Sequence, residues 1–392
     1  MTQNFDAIII GAGVIGISTA FHLAERGLKP VILEQKQIGF GATGSSSGLV
    51  RMHYDLEVES RLAWQSFQYF RNWSERVGGE CGFRRTGFLH IEPADHETLL
   101  RKNVQMHQRI GIPTSVITGD DVKKIAPCFK TEDIAFAAYE PESGYADATL
   151  TANSFLTAAK ERGAVYVQDC EVLSAKITGG KVTSLQTSRG DFSAPIIVNA
   201  AGAWAGKVSG LFGVSIPLGT WTHDVVHIRR PAQIVDHLTV IDSSLSMYFR
   251  PDSGNLTLVA LEDDSRLDEP ADKDLGYVAK DFVERAIDRI CKRIPAMEEG
   301  SLHSSHVGRD GLTPDQRAII GQAGPEGYFL ATGFSGTGFK LSPAVGQCMS
   351  ELILEGKSIT VDISGFDPMR FERGEQLKGE NNYGFLWRKA ST

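Results

Sequence analysis

The residues best suited to chemistry by type and spacing stand near the start of this 392-residue chain. Gly11, Gly13 and Gly16 form a GxGxxG run directly after a short strand pattern over residues 6–10, apolar from Ala7 on, and a helical pattern over residues 17–26 follows. Gly11 permits a tight turn, Gly13 lets the backbone approach a pyrophosphate, and Gly16 lets helix and strand pack closely. Val14 and Ile15 lie in the turn itself, where a helix start offers N–H groups and the positive end of a dipole to phosphates. A second apolar strand, residues 31–33, runs into Glu34 and Gln35. A carboxylate roughly 20 residues past the glycines accepts hydrogen bonds from a ribose, and its charge repels a 2′-phosphate. Strand, turn, helix, strand and acid together predict dinucleotide binding. The plainer alternative is a glycine turn in an ordinary α/β protein.

The rest of the chain must position that unit. Its length suffices for two domains, and 42% hydrophobic with 22% charged residues is a globular composition. Net charge is −8 with acids and bases interspersed, so nucleic-acid binding has no electrostatic support. The five cysteines are spread without any CxxC pair, which argues against a zinc site or a disulfide framework and for a reducing, cytoplasmic setting. Three glycines interrupt the first apolar stretch and no positive residue precedes it, unlike a signal peptide. No segment reaches the roughly 20 apolar residues of a membrane span, so no membrane association is expected.

Apolar periodicity predicts helices over residues 57–77, 96–109 (ending at Gly111), 153–162, 272–293 and 343–355. Strands are predicted over 87–91, 164–167, 196–202, 224–229, 247–250, 255–260 and 327–333. A hairpin joins 171–177 to 181–188 over Gly179 and Gly180. Residues 216–300 have an antiparallel texture, unlike the parallel unit at the start.

Several further motifs stand in order along the chain. They are Gly41-Ala-Thr-Gly-Ser-Ser-Ser-Gly-Leu-Val-Arg51, Gly144-Tyr-Ala-Asp147, Val198-Asn-Ala-Ala-Gly-Ala-Trp204, Thr313-Pro-Asp315 and Ala331-Thr-Gly-Phe-Ser-Gly-Thr-Gly-Phe-Lys340. With the fingerprint and Glu34, they make the chain resemble, over nearly its whole length, the D-amino acid oxidase-like superfamily of FAD enzymes. The similarity is to its sarcosine oxidase and glycine oxidase branch, sarcosine oxidase beta-subunit-like proteins included. The fold implied is α/β. A discontinuous, Rossmann-like FAD-binding domain (residues 1–85, 145–217 and 301–392) would carry a second, mostly antiparallel β substrate domain (86–144 and 218–300).

The resemblance also implies roles. Ala42, Thr43, Ser46, Ser47 and Gly48 would touch FAD, Val172 would meet adenine through its backbone, and Ala201, Gly202 and Trp204 would border the cofactor. Gly333, Gly336, Thr337, Gly338, Phe339 and Lys340 would face the flavin N1–C2=O edge, where donors stabilise the charge that grows on reduction. Lys340 matches a lysine that pairs with a substrate carboxylate, Tyr248 a tyrosine bonded to the same group, and Arg51 an arginine beside the flavin. A core-edge aromatic is an equal account of Tyr248. Arg309 is a further carboxylate anchor on this view, although an ordinary ion pair explains it at least as well.

Departures from the pattern carry information. Gly308 stands where some relatives tether flavin through a cysteine, so FAD is expected to be non-covalent. Ser47 replaces a histidine, Tyr54 a second arginine, and Thr257 a lysine credited with activating oxygen. A dehydrogenase that hands electrons to a protein or dye acceptor, rather than to O2, thereby becomes plausible. His53, His223, His227, His303 and His306 lack ligand spacing and are expected to be satisfied structural residues. The implied reaction is oxidation of the C–N bond of an amino acid or a secondary-amine amino acid such as sarcosine, by hydride transfer to flavin N5 and hydrolysis of the resulting imine. The chain would be a monomer or part of a heteromeric complex. The alternative is a catalytic or electron-transfer flavin subunit of such an amino acid dehydrogenase complex.

Overall fold

A computed structural model describes residues 2–384. Four consecutive apolar residues, Ala7–Ile10, are all buried because the strand they form has neighbours on both sides. Pro30–Leu33 and Ile196–Asn199 pair with it in parallel. Val165–Val167 and Tyr328–Thr332 extend the sheet in parallel, and Ile319–Gln322 closes it antiparallel. Such doubly covered parallel strands require near-continuous apolar runs, which is what the sequence supplies. The first helix, Val14–Glu25, packs between this sheet and the last helix, Gly338–Glu355. A Cβ at Gly346 would collide with Ser18, so a small residue there sets how closely the two helices approach.

The second layer is an eight-stranded sheet. Its order runs Ser301–Leu312, Gly219–Arg229, Leu256–Leu267, Met247–Asp252, Thr239–Asp242, Phe88–Ile91, Ala137–Glu140 and Ser115–Ile117. All neighbours are antiparallel except the pair Thr239–Asp242 and Phe88–Ile91. Helix Lys280–Arg293 covers the face formed by Val226, Phe249, Val259 and Leu261 through Phe282, Ala286 and Ile290. The opposite face looks toward the parallel sheet.

Several elements differ from the sequence-based expectation for physical reasons. The helix expected over 57–77 breaks at Asn72, whose side chain bonds the Gln68 carbonyl. The helix expected from 153 begins at Ala148, because Asp147 caps it by accepting the Leu150 N–H. The helix expected over 272–293 begins only at Lys280, after Gly276 takes a positive φ. The last helix starts at Gly338 rather than 343 and contains Pro343, and the Phe339 carbonyl that Pro343 cannot serve accepts from Ser342 Oγ instead. Strand Ser301–Leu312 had no counterpart in the sequence reading. It pairs along its length with Gly219–Arg229, so residues 301–312 lie in the large sheet although the domain expectation placed 301–392 with the cofactor. Residues 385–392 of that span lie outside those described. The expected boundaries at 85/86 and 144/145 run through a small sheet of Leu49–Val50, Gly144–Tyr145 and Arg84–Arg85.

Candidate active site

Gly11 adopts φ +106°, and a Cβ there would sit 2.6 Å from the Ala200 carbonyl oxygen. Gly16 meets the Gly11 carbonyl so closely that no side chain fits, which is the close helix–strand contact expected of it. Gly13 caps the first helix with no side-chain cap bond, and no acid occupies the first turn. Thr43 Oγ1 accepts the Val14 N–H at 3.0 Å, which ties the loop of residues 41–48 to the helix start. Positive potential is therefore left open to an anion. Glu34 accepts the Ala12 N–H through Oε2 and the Lys36 N–H through Oε1, each at 2.8 Å. Burial raises its pKa while those two N–H bonds pull it back. Each carboxylate oxygen keeps a second lone pair for a ribose hydroxyl.

From this cradle a cleft of about 300 Å³ runs to the start of the last helix. It brings together most residues expected at the cofactor. Gly11, Gly13, Val14, Ile15, Glu34 and Gln35 line one end, with Val172 nearby. Ala42, Thr43, Ser46 and Ser47 form one wall, and Ala201, Gly202 and Trp204 another. Gly333, Gly336, Gly338 and Phe339 close the far end. Gly48, Thr337 and Lys340 stand just behind the lining. Thr337 Oγ1 bonds the Phe334 carbonyl at 2.6 Å, and Gly48 fits against the Ala146 carbonyl.

The large sheet supplies the other wall through strand alternation. Trp221 lies opposite Asp310, His223 opposite Gly308, and Tyr248 opposite Ala260. Trp221, His223, Tyr248 and Asp310 all line the cleft. Tyr248 is hydrogen-bonded to Ser47, and burial pushes its pKa up. Asp310, Trp221 and His223 escaped the sequence reading as site residues. The alternation of 219–229 against 301–312 was the available signal, but it is obscured by Gly308 and Gly311.

Five expectations are corrected by the structure. Arg309 points away from the cleft: its guanidinium bonds the Ala271 and Lys273 carbonyls, Thr222 and Glu269, which leaves no fork for a substrate. Thr257 also lies on the far face, bonded at 2.8 Å to His237, and Ala260 is the residue across from Tyr248. His223 is no satisfied core histidine. It faces the cleft, its Nδ1 lacks a partner, and burial lowers its pKa to about 4. His53 and His227 likewise leave Nδ1 unpaired. A Cβ at Gly308 would stand 2.6 Å from His223 Nε2 and 2.8 Å from Ser45 Oγ, so a side chain there requires these two to shift.

Charge concentrates beyond the far end. Lys340 is buried with Nζ donating to the Gly336 carbonyl at 3.1 Å. Burial and then Arg51 pull its pKa down to about 7, against the pull of Asp310 and Glu59. Burial pushes Asp310 up to about 6, opposed by Lys340. Arg51 donates to the His53 carbonyl and stacks 4.4 Å over Tyr54, with Nε unpaired. Behind them, Thr313-Pro-Asp315 is a brace: Asp315 receives a two-pronged bond from Arg370 at 2.9 and 3.0 Å, and Thr313 Oγ1 bonds the Arg317 carbonyl. Arg317 in turn pairs with Asp55 at 2.7 Å and with Glu59.

Comparison with known proteins agrees with this geometry. A family model described as FAD dependent oxidoreductase matches residues 6–352. The chain is 28% identical over 390 residues to mitochondrial sarcosine dehydrogenase of Mus musculus, covering 95% of this chain but 42% of that protein. It is 27% identical over 381 residues to glycine oxidase of Geobacillus kaustophilus, covering 94% of this chain and 98% of the other. The crystal structure of L-proline dehydrogenase from P. horikoshii superimposes with TM-score 0.90 at 27% identity, covering 96% of this chain and all of that one. The chain therefore belongs to the FAD-dependent oxidoreductase family, and FAD is the cofactor that the cradle fits.

Proposed function

We propose that this family member oxidises the C–N bond of an amino acid or an N-substituted amino acid such as sarcosine, glycine or an N-carboxymethyl amine. The relatives just named support an amino acid as substrate, but the first of them is more than twice this chain's length. One observation carries the reading: a cradle built for a dinucleotide opens at its far end onto the carboxylate of Asp310, with Lys340 just behind the lining and close enough for each to feel the other's charge.

FAD, when bound, supplies the acceptor for the two electrons that leave the substrate as hydride. The chain's residues bind and orient. Lys340 and the unpaired Nε edge of Arg51 attract the substrate carboxylate, and the Tyr248 hydroxyl, steered by Ser47, reaches the same region. The last helix begins at Gly338 without a side-chain cap or an acid in its first turn, so its N–H groups remain available to growing negative charge. The released imine hydrolyses in water to a carbonyl compound and an amine.

Two finer points belong to the proposal. FAD is held without a covalent link at position 308, because Gly308 carries no thiol to form one. Electrons pass to a protein or dye acceptor more readily than to O2 on this reading, because Thr257, which stands where an oxygen-activating lysine was expected, carries no cation and is bonded to His237. Five free thiols support a reducing, cytoplasmic setting. The test is anaerobic mixing of the yellow protein with a panel of amino acids and N-alkyl amino acids, followed by reoxidation with dye or air. Bleaching by at least one member and faster recovery with dye are expected. No bleaching by any member would end this reading, and a co-purifying protein partner would then favour an electron-transfer subunit.

A further inference from the structure

Three carboxyl groups line the cleft. Glu34 belongs to the ribose end, and Glu171, beside Val172, lies 3.9 Å from Lys207. The third, Asp310, stands at the opposite end, on the sheet face it shares with Trp221, His223 and Tyr248. Among the described residues no hydrogen bond or ion pair engages its carboxylate. Of the carboxyls behind the lining at this end, Glu59 is held by Arg317, Glu140 by Ser143 and the Met52 N–H, and Glu92 by His90, His96 and Ser243, whereas Glu262 is buried with Oε2 unpaired but does not line the cleft. An ionised carboxylate facing a site that a flat aromatic ring would roof over is costly unless a cation meets it. The nearest cation, Lys340, directs Nζ to the Gly336 carbonyl. The far end thus presents an acid in the lining, Asp310, and a base just behind it, Lys340, that are not bonded to each other, which is the complement of a zwitterion.

Building on the amino-acid reading above, we propose that Asp310 receives the substrate's ammonium group and takes its proton. One N–H bond breaks and one O–H bond forms on Asp310, which leaves the nitrogen lone pair free to assist departure of the C–H electron pair as hydride. The substrate class narrows to amines whose carboxylate and nitrogen are close enough to span Lys340 and Asp310 together, namely α-amino acids and their N-alkyl forms. Lys340 from the last helix, His306 from the same strand, and Tyr248, Arg250, His223 and Glu262 from neighbouring strands are the titratable and charged groups that share this face.

The test uses holoprotein and the panel member that bleaches it. Binding is read from perturbation of the oxidised flavin spectrum, for that amino acid and for the carboxylic acid of the same shape with CH2 in place of the nitrogen. In wild type the amino acid is expected to bind at least ten-fold tighter than its nitrogen-free analogue, and the advantage to fade as pH falls through about 6, where Asp310 gains a proton. Asp310→Asn is expected to erase the advantage without loosening the analogue, and to slow anaerobic bleaching at least ten-fold. Asp310→Glu should recover part of both. Equal preference and equal bleaching in Asp310→Asn and wild type would overturn this assignment while leaving amine oxidation standing. Absence of bleaching in wild type would overturn the functional reading itself. If Asp310→Asn loses its flavin, the wild-type pH dependence decides: an advantage unchanged between pH 5 and 7 overturns the assignment.

Discussion

The two ends of the cleft are built from different materials. At the cradle the recognising atoms are backbone N–H groups of a helix start, exposed because Gly11, Gly13 and Gly16 remove side chains that would fill the space. At the far end they are side chains, Lys340, Asp310, Tyr248 and Arg51, delivered by four separate segments and held in place by burial and charge. A backbone site tolerates almost any neighbour but no added atom at Gly11 or Gly16. A side-chain site tolerates small shifts in shape but depends on which strand face each residue occupies.

That contrast predicts effects of graded size. The largest belongs to the cradle. Gly11→Ala combines a positive φ, worth about 1–3 kcal/mol of strain, with overlap on the Ala200 carbonyl, so the purified protein should be colourless and should not take up added FAD. A yellow variant of normal stoichiometry would show that the cradle is more pliable than its geometry says. Next is the brace behind the far end. Burial acts against Asp315, yet the Arg370 bonds and charge, with N–H bonds from Leu377 and Arg317, hold its pKa below the usual carboxylate range. Its contribution is thus present above about pH 4 and lost as pH falls below that. Asp315→Asn should lower unfolding free energy by about 3–5 kcal/mol in denaturant titrations at pH 7, and the gap to wild type should shrink in acid.

Lys340→Met should keep the flavin but weaken substrate binding about 100-fold, in line with loss of one partner from a buried charge pair. In wild type, affinity for a simple carboxylate should fall as pH rises through about 7, because the depressed pKa of Lys340 leaves it charged only below that point. A carboxylate that binds equally at pH 6 and 9 would remove Lys340 from the site. The smallest effect is assigned to Arg309→Met. It should lower thermal stability, since Glu269 and two carbonyls lose their donor, yet change substrate affinity by less than two-fold. A larger change would mean that this guanidinium turns toward the cleft.

The same contrast explains what could be read without coordinates. The glycine run and Glu34 were legible because their spacing is local and each glycine marks a backbone requirement, whereas Thr43 and the segment up to Phe339 were legible through the family resemblance of their motifs. Arg309 and Asp310 are adjacent in sequence and were not separable that way. Alternation sends one into the cleft and the other to Glu269, and only the pairing with Gly219–Arg229 says which. Thr257 failed for the same reason, since a single register step carries a residue to the opposite face of a sheet. Helix starts at Ala148 and Gly338 were missed because capping by Asp147 and repair of the Pro343 defect by Ser342 are side-chain events that apolar periodicity does not record.

By itself, the order of amino acids determined a parallel βαβ unit, its glycine turn and the acid that follows, because each of these needs only neighbours within a few turns of chain. It also determined that a second, β-rich region is inserted. Tertiary structure alone decided which charged groups meet at the far end, since Asp310 and Lys340 stand thirty residues apart and Arg51 lies more than 250 from either. Strand pairing and burial fix those distances. The same burial moves Asp310 and Lys340 toward neutral pKa values, a property that no local pattern of residues encodes.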